Sequence, residues 1–262
     1  MKTTVLFILI ILVSGLISCK QVIDINVSSA SSLLVIEGNV TDQLGTQTVT
    51  LSRSVDYNST NVFPTVSGAV ITINESTGVN YKLTETSPGT YIVNRLKGKT
   101  GEAYTLNVVL NGQSYTATSI MPPAVPLDSL TLVEQAFGSR TVKTVAVNFR
   151  DPPGISNQYK FVMYINGVQV KRIFTQNDVY TDGNNIVIML YQDIDLKKGD
   201  RVDVDMQCID APIYNYWNSL SNQGGNGPQN SATPANPPSN ISNNALGYFS
   251  AHTIQRKSTI IP

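Results

Sequence analysis

One pattern dominates the chain from Leu33 to Ile120: short runs in which apolar and polar residues alternate, each ended by a turn sequence. Alternation at a period of two is typical of β-strands with one buried face, because successive side chains of a strand point to opposite sides of the sheet. Many short strands separated by turns predict an antiparallel β-sandwich. The strands predicted in this half are Leu33–Val40, Gln47–Arg53, Ala69–Asn74, Tyr81–Thr84, Thr90–Arg95, Ala103–Leu110 and Ser114–Ile120.

Two Asn-Gly pairs mark tight hairpins. Asn111-Gly112 separates two of these strands, and Asn166-Gly167 separates the runs Gln158–Ile165 and Val168–Phe174. Both central residues of a type I′ turn need a positive φ angle, which Asn and Gly adopt more readily than other residues. The sequence therefore predicts directly connected antiparallel strands at both positions.

A proline-rich segment then interrupts the strand pattern. Three prolines lie within residues 122–126, and proline is excluded from the interior of a sheet because it donates no backbone hydrogen bond. We therefore predict a stiff linker at 122–127 between a β-sandwich domain at 32–121 and a second antiparallel β domain at 128–262. The pattern leaves one alternative open, a single continuous sandwich in which the proline-rich segment is an edge strand.

The second half resumes the strand pattern and adds one helix. Asp210 is suited to cap that helix, Pro212 suits its first turn, and apolar residues then recur at helical spacing until Gly224. This predicts a helix at about 211–223, followed by a long polar loop at 224–244 that is too poor in apolar residues to fold alone. The strands predicted here are Leu130–Glu134, Val142–Arg150, Gln158–Ile165, Val168–Phe174, Ile186–Tyr191, Arg201–Ile209 and Leu246–Thr253.

The N-terminus is typical of a bacterial lipoprotein signal peptide. Lys2 precedes the apolar run Val5–Val13, and Leu16-Ile17-Ser18-Cys19 resembles a lipobox. We predict a signal peptide at 1–18 and a lipidated Cys19 that opens a polar tether at 19–31. Each buried methylene of an attached acyl chain contributes about 0.8 kcal/mol, so the mature protein would be held firmly at a membrane. The alternative, an N-terminal anchor helix, is disfavoured because the apolar run is short.

Charge, histidine and cysteine content limit the classes of function. The 18 basic and 18 acidic residues give a net charge of zero, which disfavours nucleic acid as a partner. The single histidine, His252, excludes a multi-histidine metal site, and no Gly-x-Ser-x-Gly motif accompanies it. If Cys19 carries lipid, Cys208 has no disulfide partner and is expected to be a small buried side chain. We therefore predict a protein that is not an enzyme and has no cofactor.

Acidic residues provide one weak candidate for a metal site. Asp203 and Asp205 share a face of the predicted strand Arg201–Ile209, and Asp193 lies nearby in sequence. Calcium binds carboxylate oxygens, but the spacing matches no known calcium loop. The main expectation is that no metal is bound and that these aspartates form a solvated strand face, with a calcium site as the alternative.

Aromatic residues provide the candidate binding site. Tyr216 and Trp217 lie in the predicted helix, and Tyr248 lies in the predicted strand after the polar loop. Exposed aromatic rings stack on sugars and on partner proteins, although Tyr216 and Trp217 are also suited to anchor the helix to the sheet.

Several motifs occur together in the order found in a known family. They are Leu34–Gly38 (LVIEG), Thr48–Ser54 (TVTLSRS), Val66–Ala69 (VSGA), Tyr104–Leu106 (YTL), Met121–Pro123 (MPP), Asp128–Leu130 (DSL), 234–241 (PANPPSNI) and Ala245–Phe249 (ALGYF). Over essentially the whole mature chain they resemble the Bacteroidota lipoproteins catalogued as domain of unknown function 4249. The first half also resembles the transthyretin-like, immunoglobulin-like sandwich of carboxypeptidase-regulatory modules, through Val66–Val70 and Gly89-Thr90-Tyr91.

The resemblance implies a location and a partner but no catalytic residue. Members of the family resemble outer-membrane lipoproteins whose genes accompany TonB-dependent transporters. Asn236 and Asn240 of the PANPPSNI motif join the candidate binding residues. The leading hypothesis is therefore a lipid-anchored accessory or binding protein of a TonB-dependent nutrient-uptake system, on either face of the outer membrane. The alternatives are a surface protein that binds glycans or peptides on its own, and a structural or adhesive envelope lipoprotein.

Overall fold

The computed structural model describes residues 32–56, 62–137, 140–192, 194–223 and 236–262. These residues form a mainly β protein with several antiparallel, sandwich-like sheets and one helix, α1 (Ala211–Gln223), which confirms the predicted fold class. The strands are β1 (Leu34–Thr41), β2 (Gly45–Arg53), β3 (Val70–Glu75), β4 (Asn80–Lys82), β5 (Thr84–Ser87), β6 (Thr90–Leu96), β7 (Ala103–Leu110), β8 (Gln113–Ile120), β9 (Leu127–Phe137), β10 (Arg140–Arg150), β11 (Gln158–Ile165), β12 (Val168–Gln169), β13 (Phe174–Asn177), β14 (Asn185–Leu190), β15 (Arg201–Ile209) and β16 (Leu246–Ile260).

The largest sheet joins the two ends of the described chain. Its strands run in the order β12-β11-β15-β16-β1-β2-β6-β5, and β13 also pairs with β11. At its centre β1 and β16 are parallel, with Val35 opposite Leu246 and Thr41 opposite His252. The remaining described strands form two smaller sheets, β14-β10-β9 and β4-β3-β7-β8.

Two hydrophobic cores lie between the large sheet and the two smaller ones. The first core joins residues of β1, β2 and β6, including Ile36, to residues of β3, β7 and β8, including Ile73. The second core joins β11 and β15 to β9, β10 and β14, with Phe161 among its buried residues. Strand β16 contributes Phe249 to the first core. The proline-rich segment predicted as a linker connects β8 to β9, and the division into two domains stays a prediction.

Both Asn-Gly hairpins form as predicted. Asn111 and Asn166 have φ angles of 50°, and Gly112 and Gly167 have φ angles of 79° and 80°. These values match a type I′ turn, whose twist suits the two strands it connects. The turns join β7 to β8 and β11 to β12.

The predicted strand Val168–Phe174 is instead two short strands. Strand β11 pairs with β12 through Ile165 and Val168, and it pairs with β13 through Phe161 and Phe174. Between them, Val170 is buried in the second core and its N–H donates to the Met163 carbonyl of β11 at 2.8 Å, while Lys171 and Arg172 are exposed.

The face of the large sheet opposite to the two cores is polar, and we call it the helix-side face. Since side chains alternate along a strand, β16 directs Phe249 into the first core and directs Tyr248 and His252 to the helix-side face. Helix α1 packs on this face through a small cluster in which Ile213 contacts Tyr248 and Ile209. Asp210 caps the helix, as predicted, because its Oδ1 accepts a hydrogen bond from the Ile213 N–H at 3.3 Å.

Candidate functional site

The three aromatic residues predicted to bind ligands form one cluster on the helix-side face. The ring centroids of Tyr216 and Trp217 are 5.3 Å apart, and each lies 5.1 Å from the ring of Tyr248. The rings meet at inclined angles, which is the favourable arrangement for aromatic pairs. Burial raises the pKa of Tyr216 and of Tyr248 to about 12. The cluster therefore joins the helix to the sheet and keeps both phenols protonated.

A lysine lies against this cluster. Lys160 of β11 is only 7% exposed, and its Nζ lies 3.9 Å from the centroid of the Trp217 ring. A cation over the face of an indole ring is attracted by the ring's negative electrostatic potential. Burial lowers the pKa of Lys160 to about 8, although the negative charges of Asp205 and Glu37 oppose this effect.

An open pocket adjoins the aromatic cluster. Its volume is about 290 Å³, and its floor is the place where β1 lies between β2 and β16, with Val35 opposite both Ser52 and Leu246. The lining residues come from strands, helix and loops, and they are Val35, Glu37, Ser52, Ser54, Phe63, Tyr216, Asn236, Pro237, Leu246 and Gly247.

The pocket combines apolar surface with a few polar groups. Phe63 and Tyr216 supply aromatic surface, while Glu37, Ser52 and Asn236 supply a carboxylate, a hydroxyl and an amide. Mostly apolar concavities with a few polar groups are typical of sites that bind small ligands. The arrangement is suited to holding a ligand by stacking and by hydrogen bonds.

The two asparagines predicted as binding residues have different surroundings. Asn236 lines the pocket. The side chain of Asn240 instead holds β16, since its Nδ2 donates to the Phe249 carbonyl at 2.8 Å and its Oδ1 accepts from the Phe249 N–H at 3.0 Å. Asn240 therefore positions the strand that forms one side of the pocket.

His252 is buried on the helix-side face. Its Nδ1 lies 3.0 Å from the Ser250 hydroxyl oxygen. Burial lowers the pKa of His252 to about 3, and the positive charge of Lys160 contributes to the same effect. The imidazole is therefore neutral at physiological pH. Cys208 is also buried, as expected, and burial raises the pKa of its thiol.

The prediction that Asp203 and Asp205 form a solvated strand face is wrong. Both carboxylates are buried, and each pairs with an arginine. Nη2 of Arg201 lies 2.8 Å from Oδ1 of Asp203, and Nε and Nη2 of Arg256 both donate to the carboxylate of Asp205. The acidic strand is buried because cations on β15 and on the neighbouring β16 compensate its charge. A calcium ion at this position would have to displace both arginines. Asp193 lies outside the described residues.

Another acidic group was not expected from the sequence. Among the residues that the structure describes, Asp151, Asp178 and Asp182 form the one group whose carboxylate oxygens all lie close enough together to share a metal ion. Sequence reasoning missed it because two separate loops supply the three residues. It also missed Glu37 and Phe63, which line a pocket with Tyr216. Glu37 belongs to β1, which pairs with β16, and Phe63 lies in the segment after β2 that is held to that strand by the hydrogen bond from the Arg53 N–H to the Pro64 carbonyl at 2.8 Å.

The predicted signal peptide and Cys19 lie outside the described residues. Within the described ranges, no helix has both the length and the apolar character needed to cross a membrane.

Comparison with known proteins identifies a family. Residues 20–258 match the family described as domain of unknown function (DUF4249). The chain belongs to the DUF4249 family. This confirms the predicted membership of the family. No curated protein matches the chain.

Similarity to solved structures is low. A two-domain fibronectin type-III segment of chicken tenascin is 11% identical, with a TM-score of 0.23 over 66% of this chain and 88% of that chain. A pullulanase from Anoxybacillus sp. LM18-11, complexed with maltotriose, is 12% identical, with a TM-score of 0.23 over 65% of this chain and 24% of that chain. The Yersinia pseudotuberculosis adhesin InvE is 18% identical, with a TM-score of 0.22 over 68% and 56% of the two chains. Similarity at this level carries no argument about DUF4249 function.

Proposed function

We propose that this DUF4249 protein is a lipid-anchored binding protein of the outer membrane and an accessory subunit of a TonB-dependent nutrient-uptake system. The observation that carries the binding role is the open pocket beside Tyr216. The lipobox-like sequence Leu16–Cys19 supports the lipid anchor. The resemblance to lipoproteins that accompany TonB-dependent transporters supports the choice of partner.

The chemistry of the pocket favours a glycan as its ligand. Phe63 and Tyr216 offer aromatic surface to the apolar face of a sugar ring, and Glu37, Ser52 and Asn236 offer hydrogen bonds to hydroxyl groups. A volume of about 290 Å³ lies at the lower end of ligand pockets, which suits one or two sugar rings. A peptide that inserts one or two side chains is the alternative ligand.

A binding experiment tests the pocket. The purified protein is applied to arrays of glycans and of peptides, and the affinity for each ligand that binds is then measured in solution. We expect glycan binding, and we expect Tyr216→Ala to weaken it at least about tenfold, because truncation of an aromatic residue at the centre of a binding site can cost about 2 kcal/mol.

Tyr180→Ala is the matched control, because Tyr180 is 94% exposed and does not line the pocket. It should leave the affinity unchanged. Binding of peptides alone would replace the glycan assignment with the alternative. Equal losses in both tyrosine variants, or the absence of any ligand from both arrays, would contradict a binding role for the pocket.

Copurification from membranes tests the anchor and the partner. We expect the protein to be extracted from outer membranes by mild detergent together with a TonB-dependent transporter barrel. Cys19→Ala should leave the protein unprocessed or release it from the membrane, because the thiol that accepts the lipid is missing. Normal processing and membrane retention of Cys19→Ala would contradict lipidation at this residue. Extraction without any transporter would contradict the proposed partner and favour a protein that acts alone.

A further inference from the structure

Two loops beside the second core carry the three acidic residues Asp151, Asp178 and Asp182. Residues 151–157 connect β10 to β11, and residues 178–184 connect β13 to β14. The loops are tied together by hydrogen bonds from the Gly154 N–H to Asp182 Oδ1 at 2.8 Å and from the Gly183 N–H to Asp151 Oδ2 at 3.1 Å. Contacts between the loops therefore fix the positions of two carboxylates.

Three carboxylates converge between these loops. One oxygen from each of Asp151, Asp178 and Asp182 lies within 4.8 Å of the other two. Asp151 and Asp178 are buried, and Asp182 is exposed. Like charges this close repel one another, and the repulsion is strongest where burial lowers the effective dielectric constant.

The partners of this group differ from those of the other buried aspartates. Asp203 and Asp205 each pair with an arginine. None of the ion pairs found among the described residues involves Asp151, Asp178 or Asp182.

The donors that reach the two buried carboxylates are neutral. The Tyr159 hydroxyl donates to Asp151, and the Asn157 N–H donates to Asp178 at 2.6 Å. Neutral donors orient carboxylates but leave their negative charge uncompensated, which is costly for buried groups. A bound cation would remove that cost.

The residue whose N–H donates to the Asp178 carboxylate also has a buried side-chain oxygen without a protein partner. Asn157 is 4% exposed, and no hydrogen bond reaches its Oδ1. The ladder that pairs Gln158 with Asn177 continues by one step, because the Asp178 N–H donates to the Asn157 carbonyl at 3.2 Å. Residues opposite each other in an antiparallel pair project to the same face, so the Asn157 amide is directed to the side of the Asp178 carboxylate.

A second oxygen without a partner lies in the other loop. Thr181 precedes Asp182, and its N–H donates to the Asp178 carbonyl at 2.8 Å, while its buried Oγ1 has no hydrogen-bond partner. Most buried polar atoms in proteins are hydrogen-bonded, so two such oxygens, on the residue opposite Asp178 and on the residue before Asp182, point to a ligand that accepts electron pairs.

We propose that Asp151, Asp178 and Asp182, together with Oδ1 of Asn157 and Oγ1 of Thr181, bind a calcium ion. All five side chains offer oxygen, which hard cations prefer, and neither histidine nor cysteine is present to favour zinc. The five side chains supply five oxygen ligands, and one bidentate carboxylate or one water molecule adds a sixth. Calcium is coordinated by six to eight oxygens. Magnesium needs stricter octahedral geometry and retains its waters, so the crowded carboxylates favour calcium. This site is independent of the proposed pocket.

Calcium titration of the full chain, purified in mild detergent and freed of metal by a chelator, tests the proposal. We expect one calcium ion to bind per chain by calorimetry. We also expect the melting temperature to rise by about 5–10 °C when calcium exceeds its dissociation constant 100-fold. Magnesium at the same concentration should produce a clearly smaller shift. Absence of calcium binding, or an equal shift with magnesium, would overturn the assignment.

Two isosteric variants locate the site. Asp182→Asn changes an exposed residue and keeps the oxygen that accepts from Gly154, so the variant is expected to fold. Asp178→Asn removes a buried charge. Each should weaken calcium binding at least about tenfold, because affinity follows the number of charged ligands. Asp128→Asn, at an exposed aspartate of β9, is the matched control and should bind calcium normally. Normal binding by both site variants would overturn the proposal.

Discussion

At the scale of single residues, the molecule buries charged groups that most proteins expose, and it stabilises them in different ways. Asp205 is 2% exposed and is compensated by Arg256. Lys160 is nearly as buried, but it faces the ring of Trp217. An aromatic ring attracts a cation less strongly than a carboxylate does. The free-energy cost of burying the charge of Lys160 is therefore offset less completely than the cost of burying the charge of Asp205.

This cost has a defined dependence on pH. Burial lowers the pKa of Lys160 from 10.5 in its ordinary state to about 8 in the folded protein. The unfolded chain therefore binds the proton more tightly than the folded chain does. Below pH 8 the cost of burying the charge is present in full, and it is relieved as the pH rises from 8 to 10.5. Stability consequently increases with pH across this window.

We predict that Lys160→Met removes this increase. In the native protein Lys160 contributes a rise of about 3 kcal/mol in the free energy of unfolding between pH 8 and pH 10.5. Tyrosines with raised pKa values act in the opposite direction above pH 10 and are present in both proteins, so the difference between the proteins isolates Lys160. Urea unfolding at a series of pH values measures it.

The same substitution at the exposed Lys171 is the control for this experiment. It should retain the rise, because Lys160 is intact in that variant. A constant difference between Lys160→Met and the native protein from pH 8 to pH 10.5 would show that the lysine does not titrate in this range.

At the scale of elements, the parallel pair β1–β16 depends on glycine at one point of close approach. Gly247 has a φ angle of 92°, and a Cβ atom added to it would lie 2.0 Å from the Ile36 carbonyl oxygen. Only glycine combines this conformation with so short a distance between two backbones. Gly247 also lines the pocket, so the close approach helps to shape its floor.

We predict that Gly247→Ala destabilises the protein by at least about 3 kcal/mol, because it adds a backbone clash to conformational strain. Gly112→Ala is the matched control. Gly112 also has a positive φ angle, but an added Cβ there meets nothing within 4 Å, so only the strain of about 1–2 kcal/mol applies. The midpoints of urea unfolding compare the two variants. Equal destabilisation of the two variants would show that a clash with the Ile36 carbonyl does not add to the cost of Gly247→Ala.

Local elements were largely predictable because their causes are local. The two Asn-Gly turns, the strand Arg201–Ile209 and the helix Ala211–Gln223 follow from turn chemistry, alternation and capping. The segment Val168–Phe174 was not predictable in the same way. Its alternation resembles one strand, but the structure has two short strands, β12 and β13, which pair with different parts of β11 on either side of the exposed Lys171 and Arg172.

At the scale of the whole molecule, the large sheet connects the two cores. Strand β16 pairs with β15 on one side and with β1 on the other, so it lies between the two halves of the sheet. It buries Phe249 in the first core and is followed by Ile261, which is buried in the second. The candidate pocket lies on the opposite face of the same strands. Packing of β1, β2 and β16 in the first core therefore positions the strand residues of the pocket.

The sequence by itself determined the class of the fold, the family and most of the local elements. Alternation, turn residues and helix caps act over a few residues, so they can be read without knowing what packs against them. The sequence also identified Tyr216, Trp217 and Tyr248 as candidate binding residues, since the ability of an aromatic ring to stack on a ligand depends only on the type of residue.

Only the tertiary structure decided which distant residues meet. The parallel pairing of Val35 with Leu246 assembles the pocket, and contacts between two loops bring Asp151 to Asp178 and Asp182. Burial also reversed the expected exposure of Asp203 and Asp205, because Arg201 and Arg256 compensate their charge. Such contacts join residues far apart in the chain, and their free energy depends on packing and desolvation that no local pattern encodes.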